Sequence, residues 1–218
     1  MTRSRGAYGG TVPQPPEIIS SKLDLTSWPA YSATVGEPSP QSQRVFEFRA
    51  HWQRASAFQD IIVPSFSTVD RRTIDAYAAF FKVSLAYTAH EQLAKVLGRD
   101  HAKMAVPDQA LADAIRGEFG SCAEFSEALD LEADGNTRIL LKRFWENTPG
   151  ADPISSPADV RVIGYGIRNA LAHRSLTPSR VRVSQSQRRI GLIRQLSDAL
   201  LARDDADFTV WVTAAQTS

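Results

Sequence analysis

A cationic, an amide and an imidazole side chain lie close together near the end of an apolar segment, in the stretch IRNALAHRS at residues 167–175. Arginine carries a planar fork of donors that matches a phosphate group, and histidine exchanges a proton near neutral pH. Arg168, Asn169 and His173 therefore form a candidate site for phosphodiester chemistry.

The spacing of these residues limits what one copy of the helix can do. Asn169 and His173 are one turn apart and share a face, whereas Arg168 and His173 are separated by about 140° around a regular helix. Two copies packed side by side could enclose one small group, but a single copy could not easily do so. Ile163 and Ile167 fall on the buried stripe, so we expect Arg168 and Asn169 to leave the core.

Arginines are concentrated around this stretch. Residues 161–203 contain nine arginines and one acid, Asp198, although the net charge of the whole chain is only +1. Because no global field is available to hold nucleic acid or an anionic membrane, any anion site must be local. The nearest additional candidates for contact with RNA phosphates are Arg161, Arg174 and Arg180.

The arrangement RNALAH at the end of a helix resembles the signature of the HEPN superfamily, in which an arginine and a histidine flank a short spacer and asparagine often follows the arginine. Many members of that superfamily are metal-independent ribonucleases, and they dimerise so that the motifs of both protomers line one cleft. The resemblance implies an all-α domain, an RNA substrate, a homodimer, and no metal or other cofactor.

By position, the resemblance assigns Arg168 to the scissile phosphate, His173 to general acid or base catalysis, and Asn169 to orienting His173 or contacting phosphate. The implied reaction is transesterification by the neighbouring 2′-hydroxyl, which leaves a cyclic phosphate. The resemblance also implies a toxin or defence setting, with an antitoxin or a nucleotidyltransferase as partner. Toxin-type members carry a tyrosine two residues after the histidine, where this chain has Ser175.

Other interpretations of the same residues stay open. Arg168 could be solvated, Asn169 could hydrogen-bond locally, and His173 could be a favourable cation at a helix C-terminus. A HEPN-like fold could also bind RNA or a protein without cutting. The basic run SQRRIGLIRQ, residues 186–195, could instead be a DNA-recognition helix, although its many apolar positions favour a core helix.

Two motif-like stretches do not meet the requirements of their motifs. In VRVIGYGIRN, the third glycine of a dinucleotide-binding loop is replaced by Asn169. In AHEQLAK, His90 and Glu91 begin a zinc-protease pattern, but the second histidine position holds Ala94. We therefore expect His90 on the surface or partly packed.

The cysteine content and the hydropathy of the chain indicate in which cellular compartment to expect it. A single cysteine, Cys122, excludes an intrachain disulfide and a cysteine-based zinc site, and it fits a reducing environment. No segment is apolar for long enough to span a membrane, and the start MTRSRGAYGG lacks the apolar core of a signal peptide. We expect a cytoplasmic protein without membrane contact.

The chain divides by composition near residue 40. Residues 1–40 hold six of the twelve prolines, which predicts a flexible tail except where Trp28 and Tyr31 could lie on the folded part. Residues 41–218 have helical periodicity and form the predicted HEPN-like domain. The predicted helices start near Gln41, Asp70, Pro107, Ser121, Asn136, Pro157 and Ser186.

Two short stretches have a β-like pattern instead. RVRVS at residues 180–184 and FTVWV at residues 208–212 could pair as a small C-terminal ribbon. The predicted fold class is thus an all-α helical bundle with a possible two-stranded β-ribbon.

Overall fold

The computed structural model describes residues 24–36, 39–61, 70–150 and 156–217. Within these ranges the chain forms eight α-helices and no β-strand, which confirms the predicted all-α class. Residues 1–23 of the predicted tail lie outside the described residues. The helices are α1 (Trp28–Thr34), α2 (Pro40–Ala57), α3 (Arg71–Leu97), α4 (Gln109–Phe119), α5 (Ala123–Leu131), α6 (Gly135–Glu146), α7 (Arg161–Ala172) and α8 (Gln187–Gln216).

Helix α3 is the central element, and it packs against α2, α7 and α8. Its ends are fixed by local chemistry that the sequence predicted. The Asp70 side chain accepts a hydrogen bond from the Arg72 amide, and Gly98 ends the helix in the left-handed conformation with a φ of +62°. Twelve of its 27 residues are buried, and α3 thus supplies a shared wall to α2, α7 and α8.

The predicted C-terminal ribbon does not form. Residues 208–212 belong to α8, and residues 180–184 form turns and the start of a short 3-10 segment. Although Phe208, Val210 and Val212 alternate as in a strand, the helix buries Phe208 and Val212 at i and i+4 and leaves Val210 exposed. Packing against the core thus overrides the β-like alternation.

Helix α8 is also the longest helix in the part of the chain that the structure describes. Its N-terminal half enters the main core, and its C-terminal end contributes Phe208 and Val212 to a second apolar cluster. In the described ranges, no helix combines the length and the apolar composition that a membrane span requires.

The second cluster includes part of the segment that the composition marks as a tail. Leu25, Trp28 and Tyr31 are buried there, and the Tyr31 ring contacts that of Phe208. The Asp24 carboxylate binds the Arg49 guanidinium of α2. Aromatic burial therefore attaches residues 24–34 to the helical domain.

Two helices start at other positions than the pattern predicted, α4 later and α6 earlier, because aspartates cap them. Asp108 caps α4 through the Leu111 amide at 2.9 Å, one residue after Pro107. Asp134 caps α6 through the Thr137 amide at 2.7 Å, two residues before the predicted cap Asn136. Each carboxylate satisfies an amide that would otherwise have no partner in the first turn.

Helix α7 begins at Arg161 rather than near Pro157, because the preceding backbone is paired elsewhere. The Val160 amide donates to the Val106 carbonyl at 3.1 Å, and the Asp108 amide donates to the Ala158 carbonyl at 2.9 Å. This short antiparallel pairing joins the starts of α4 and α7.

Two glycines allow α7 to approach its neighbours closely. A Cβ at Gly164 would lie 3.1 Å from the Leu200 side chain, and one at Gly166 would lie 3.2 Å from the Cβ of Leu129. Contacts this short require a neighbour to shift. The rotation of α7 about its own axis is therefore fixed, because its backbone packs directly against side chains of α5 and α8.

We expect Gly166→Ala to lower the free energy of unfolding by about 1 kcal/mol, because the overpacking cost exceeds the gain in helix propensity. Gly191→Ala is the matched control, since a Cβ at that helical position meets nothing within 4 Å. It should raise the free energy of unfolding by about 0.5–1 kcal/mol. Urea unfolding followed by circular dichroism measures both, and equal effects would contradict the close packing of α7.

Candidate functional site

The start of α7 is held by one buried carboxylate. Asp159 Oδ1 accepts hydrogen bonds from the Val106 amide at 2.9 Å and the Arg161 amide at 3.2 Å. Asp159 Oδ2 binds the guanidinium of Arg161, with the Nη2 atom at 2.9 Å. Arg161, which the sequence offered as an RNA contact, is only 3% exposed and anchors the helix from inside the fold.

Arg168 lies two turns further along α7 and is held between two helices. Its Nη1 atom donates to Asn169 Oδ1 at 2.9 Å, and its Nη2 atom lies 3.2 Å from Glu91 Oε2 on α3. These bonds use two of the five N–H donors of a guanidinium. The side chain is still 36% exposed, so a fixed guanidinium faces solvent at this position.

Asn169 differs from both expectations for it. It does not leave the core but is buried, and its side chain binds Arg168. Its contact with His173 is through the backbone, where the His173 amide donates to the Asn169 carbonyl at 3.0 Å. In this chain Asn169 therefore orients the arginine of the motif and not the histidine.

His173 is the residue at which α7 ends, and its side chain is 64% exposed. Its Nδ1 atom lies 3.7 Å from Glu132 Oε2, at the end of α5. That distance is too long for a hydrogen bond but allows an ion pair when the imidazole is protonated. Arg168 thus contacts α3 whereas His173 faces the end of α5, so one chain directs the two side chains to different neighbours.

The loop after His173 reverses direction at once. Arg174 adopts the left-handed conformation with a φ of +61°, and the amides of Ser175 and Leu176 donate to the Ala170 carbonyl. Arg180 folds back on this loop, and its Nη1 atom lies 3.4 Å from the Ser175 carbonyl. Arg174 and Arg180 are thus exposed residues that follow His173 closely in sequence. Arg180 also contacts the turn at Ser175.

The arginine excess of residues 161–203 is mostly neutralised by acids from other segments. Seven of the nine arginines form ion pairs, whereas Arg174 and Arg180 form none with the described residues. The pairs are Arg161–Asp159, Arg168–Glu91, Arg182–Glu124, Arg188–Glu118, Arg189–Glu118, Arg194–Asp75 and Arg203–Asp207. The positive field predicted from local counting is thus reduced to the loop that follows His173.

A cavity of about 290 Å³ lies beside the N-terminal half of α7. Three rings form one wall: the Tyr87 hydroxyl lies 3.1 Å from His101 Nδ1, and the Tyr165 ring contacts both neighbours at centroid distances of 5.5 and 6.2 Å. Its lining also includes Asp100, Asp134, Asn136 and Arg161. The sequence analysis missed this cavity, although Tyr165 shares a helix face with Arg161 and Arg168.

Burial keeps the cavity rings uncharged. It raises the pKa of the Tyr87 hydroxyl, so this group stays protonated. Burial also lowers the pKa of His101 below its ordinary value of 6.5, although the negative charge of Glu91 acts in the opposite direction. At neutral pH the His101 imidazole is therefore neutral and can take part in stacking.

His90 is fully buried, which contradicts the expected surface or partly packed position. Its Nδ1 atom lies 2.7 Å from Asp204 Oδ1, so it joins α3 to α8. In the described ranges, no group of three or more His, Cys, Asp or Glu side chains is placed to hold a metal ion.

Comparison of the chain with protein-family models, with curated proteins and with solved structures finds no match.

The pKa of His101 makes stability depend on pH. Because the folded pKa lies below 6.5, the unfolded chain takes up the proton first as the pH falls through 6.5. The free energy of unfolding should therefore fall as the pH is lowered through 6.5, and this fall should be smaller in His101→Gln. Urea unfolding at about pH 7.5 and about pH 5.5 tests this. An identical decrease in both proteins would contradict the lowered pKa of the partly buried His101.

Proposed function

We propose that the chain is a HEPN-like, metal-independent endoribonuclease that cleaves RNA through Arg168, Asn169 and His173 of two copies. The observation that carries the proposal is the Asn169–Arg168 hydrogen bond, which fixes a partly exposed guanidinium on the helix that ends at an exposed histidine. A guanidinium held in place before substrate binds loses little entropy when it contacts phosphate.

The proposed roles follow from exposure and chemistry. Arg168 binds the scissile phosphate through its remaining N–H donors and stabilises the charge that develops there. His173 transfers a proton to or from a ribose oxygen, and its exposure allows substrate to reach it. Arg174 and Arg180 contact neighbouring phosphates from the loop.

A second copy completes the proposed site. Arg168 contacts α3 whereas His173 faces the end of α5, so an arginine of one copy and a histidine of the other would meet across a two-fold axis. Leu131 is 65% exposed next to Glu132, and it offers apolar surface beside His173. A toxin or defence setting, with an antitoxin or a nucleotidyltransferase as partner, follows from the family resemblance.

RNA cleavage in EDTA tests the activity. Arg168→Ala and His173→Ala should each lower the turnover rate by at least about 100-fold, the usual effect of removing an electrostatic or acid–base group. Arg203→Ala, which removes an exposed arginine of α8, is the matched control and should cleave like the unmodified protein. Cleavage that requires an added divalent metal would contradict the scheme.

Mixing the two inactive variants tests whether the site is shared. A heterodimer of Arg168→Ala and His173→Ala contains one site with both side chains intact if the arginine and histidine come from different copies. Activity should then return on equimolar mixing, to about a quarter of that of the unmodified dimer, because about half of the dimers are heterodimers and each has one of two sites restored. Failure to regain activity, with heterodimers shown to form, would contradict the composite site.

A non-catalytic RNA- or protein-binding module is the second candidate, and the Arg168–Glu91 ion pair favours it. In this interpretation the Arg168 guanidinium, neutralised by Glu91 of its own chain, joins α3 to α7 and takes no part in catalysis. This interpretation and the catalytic one differ in what they expect of Glu91.

Glu91→Gln should strengthen RNA binding by a few-fold if Arg168 contacts phosphate, because a carboxylate that competes for the guanidinium and repels the substrate is removed. In Glu91→Gln combined with Arg168→Ala the gain should disappear. Fluorescence anisotropy with a labelled RNA measures both. Unchanged RNA affinity in Glu91→Gln would favour the purely structural ion pair.

A further inference from the structure

The cavity beside α7 is lined by residues of the same helix face that carries Arg168. Arg161, Tyr165 and Arg168 are spaced at i, i+4 and i+7, so they share one face of the helix. Arg161 and Tyr165 line the cavity, and the helix rise places the Cα atom of Arg168 about 4.5 Å beyond that of Tyr165. A group bound in the cavity would therefore lie next to whatever Arg168 holds.

Glu91 gives a second, independent link between the two places. Its Oε2 atom lies 3.2 Å from Arg168 Nη2, and its charge acts on the pKa of both Tyr87 and His101, which form the aromatic wall. The Arg168–Glu91 pair thus lies about one helical turn from cavity residues on both helices, after Tyr165 on α7 and after Tyr87 on α3.

The aromatic wall suits a flat ring. The His101 and Tyr165 rings are partly exposed, and the fully buried Tyr87 ring contacts both of them from behind. A base stacked on an aromatic side chain gains affinity whatever its sequence. The cavity volume of about 290 Å³ is at the lower end of the range for ligand sites, about 300–1,000 Å³. This size fits one base and excludes a dinucleotide.

The cavity lining also contains hydrogen-bond acceptors. Asp100 and Asp134 each use one carboxylate oxygen on a helix amide, of Ala102 at 2.9 Å and of Thr137 at 2.7 Å. A carboxylate can accept about four hydrogen bonds, so both have lone pairs to offer. An ionised carboxylate accepts hydrogen bonds but donates none, and its negative charge repels phosphate. Asp100 and Asp134 therefore favour a ligand edge with N–H donors, and the phosphate is bound by Arg168 instead.

We propose that this cavity is a subsite for one amino-bearing nucleobase of the RNA whose neighbouring phosphate is bound by Arg168. The base stacks on the Tyr165 and His101 rings, and its amino group donates to the carboxylates of Asp100 and Asp134. The identity of the ligand as RNA rests on the proposed function. If the cavity binds the base beside the cut, the ribonuclease prefers RNA with an amino-bearing base at that position.

Nucleoside monophosphates probe the cavity without any need for cleavage. The ring signal of His101 is followed by NMR while guanosine, adenosine, cytidine or uridine monophosphate is added, and it is assigned by its loss in His101→Gln. The three amino-bearing nucleotides should shift the signal at lower concentration than uridine monophosphate. A signal that stays in place with all four nucleotides at millimolar concentration overturns the subsite, and equal binding of uridine monophosphate overturns its preference for amino-bearing bases.

A pair of variants at Tyr165 separates stacking from folding. Tyr165→Phe keeps the ring and should bind nucleotides like the unmodified chain, whereas Tyr165→Leu should bind about tenfold more weakly, as expected for the loss of base–aromatic stacking. Equal affinity of the two variants, both with unchanged circular dichroism, would overturn stacking on this residue.

Cleavage and binding together distinguish failure of the subsite from failure of the ribonuclease. Arg168→Ala should lose cleavage but still shift the His101 signal with nucleotide. If the unmodified chain binds nucleotides at His101 but cuts no RNA, the subsite stands and the ribonuclease proposal falls. If it cuts RNA with no dependence on the neighbouring base or on Tyr165, the subsite falls and the ribonuclease proposal stands.

Discussion

The buried carboxylate of Asp159 determines where the functional helix starts. It accepts from the amides of Val106 and Arg161 and also pairs with the Arg161 guanidinium, so one side chain joins the segment before α4 to the first turn of α7. Removal of one member of such a buried pair typically costs about 3–5 kcal/mol, because the remaining charge has no partner. The direction of every later side chain on α7 depends on this anchor.

Much of the helical framework could be predicted from the sequence, because the signals are local. Asp70 and Gly98 mark the ends of α3 by chemistry that acts within one turn. The stretch FTVWV was assigned incorrectly because a five-residue alternation is compatible with both a strand and the end of a long helix. Only the second apolar cluster, built partly from Trp28 and Tyr31, decides between them.

The candidate site was less predictable, because its partners are distant in sequence. Arg168, Asn169 and His173 can be identified from their types and spacing, but the acid that binds Arg168, Glu91, and the acid that His173 faces, Glu132, belong to other segments. The same cause explains the overestimated positive field, since counting along residues 161–203 omits carboxylates supplied by α3, α4 and α5. The apolar stripe of α7 marks only one buried face, and the sequence does not show that the helix is buried on a second face. For this reason the prediction that Asn169 leaves the core was wrong.

The close approach of α7 to its neighbours at Gly164 and Gly166 fixes the helix that carries Arg168, whereas the arginines that follow the helix are not part of this packing. A helix seated on Leu129 and Leu200 without intervening side chains has little freedom to rotate, so the direction of Arg168 is set by the scaffold. Arg174 and Arg180, by contrast, are exposed and lie outside that packing, although Leu176 and Val181 of the same loop are buried in the core. Substitutions of these two arginines can therefore alter the charge offered to a ligand while the geometry of the helix is retained, which gives the two properties independent routes of change.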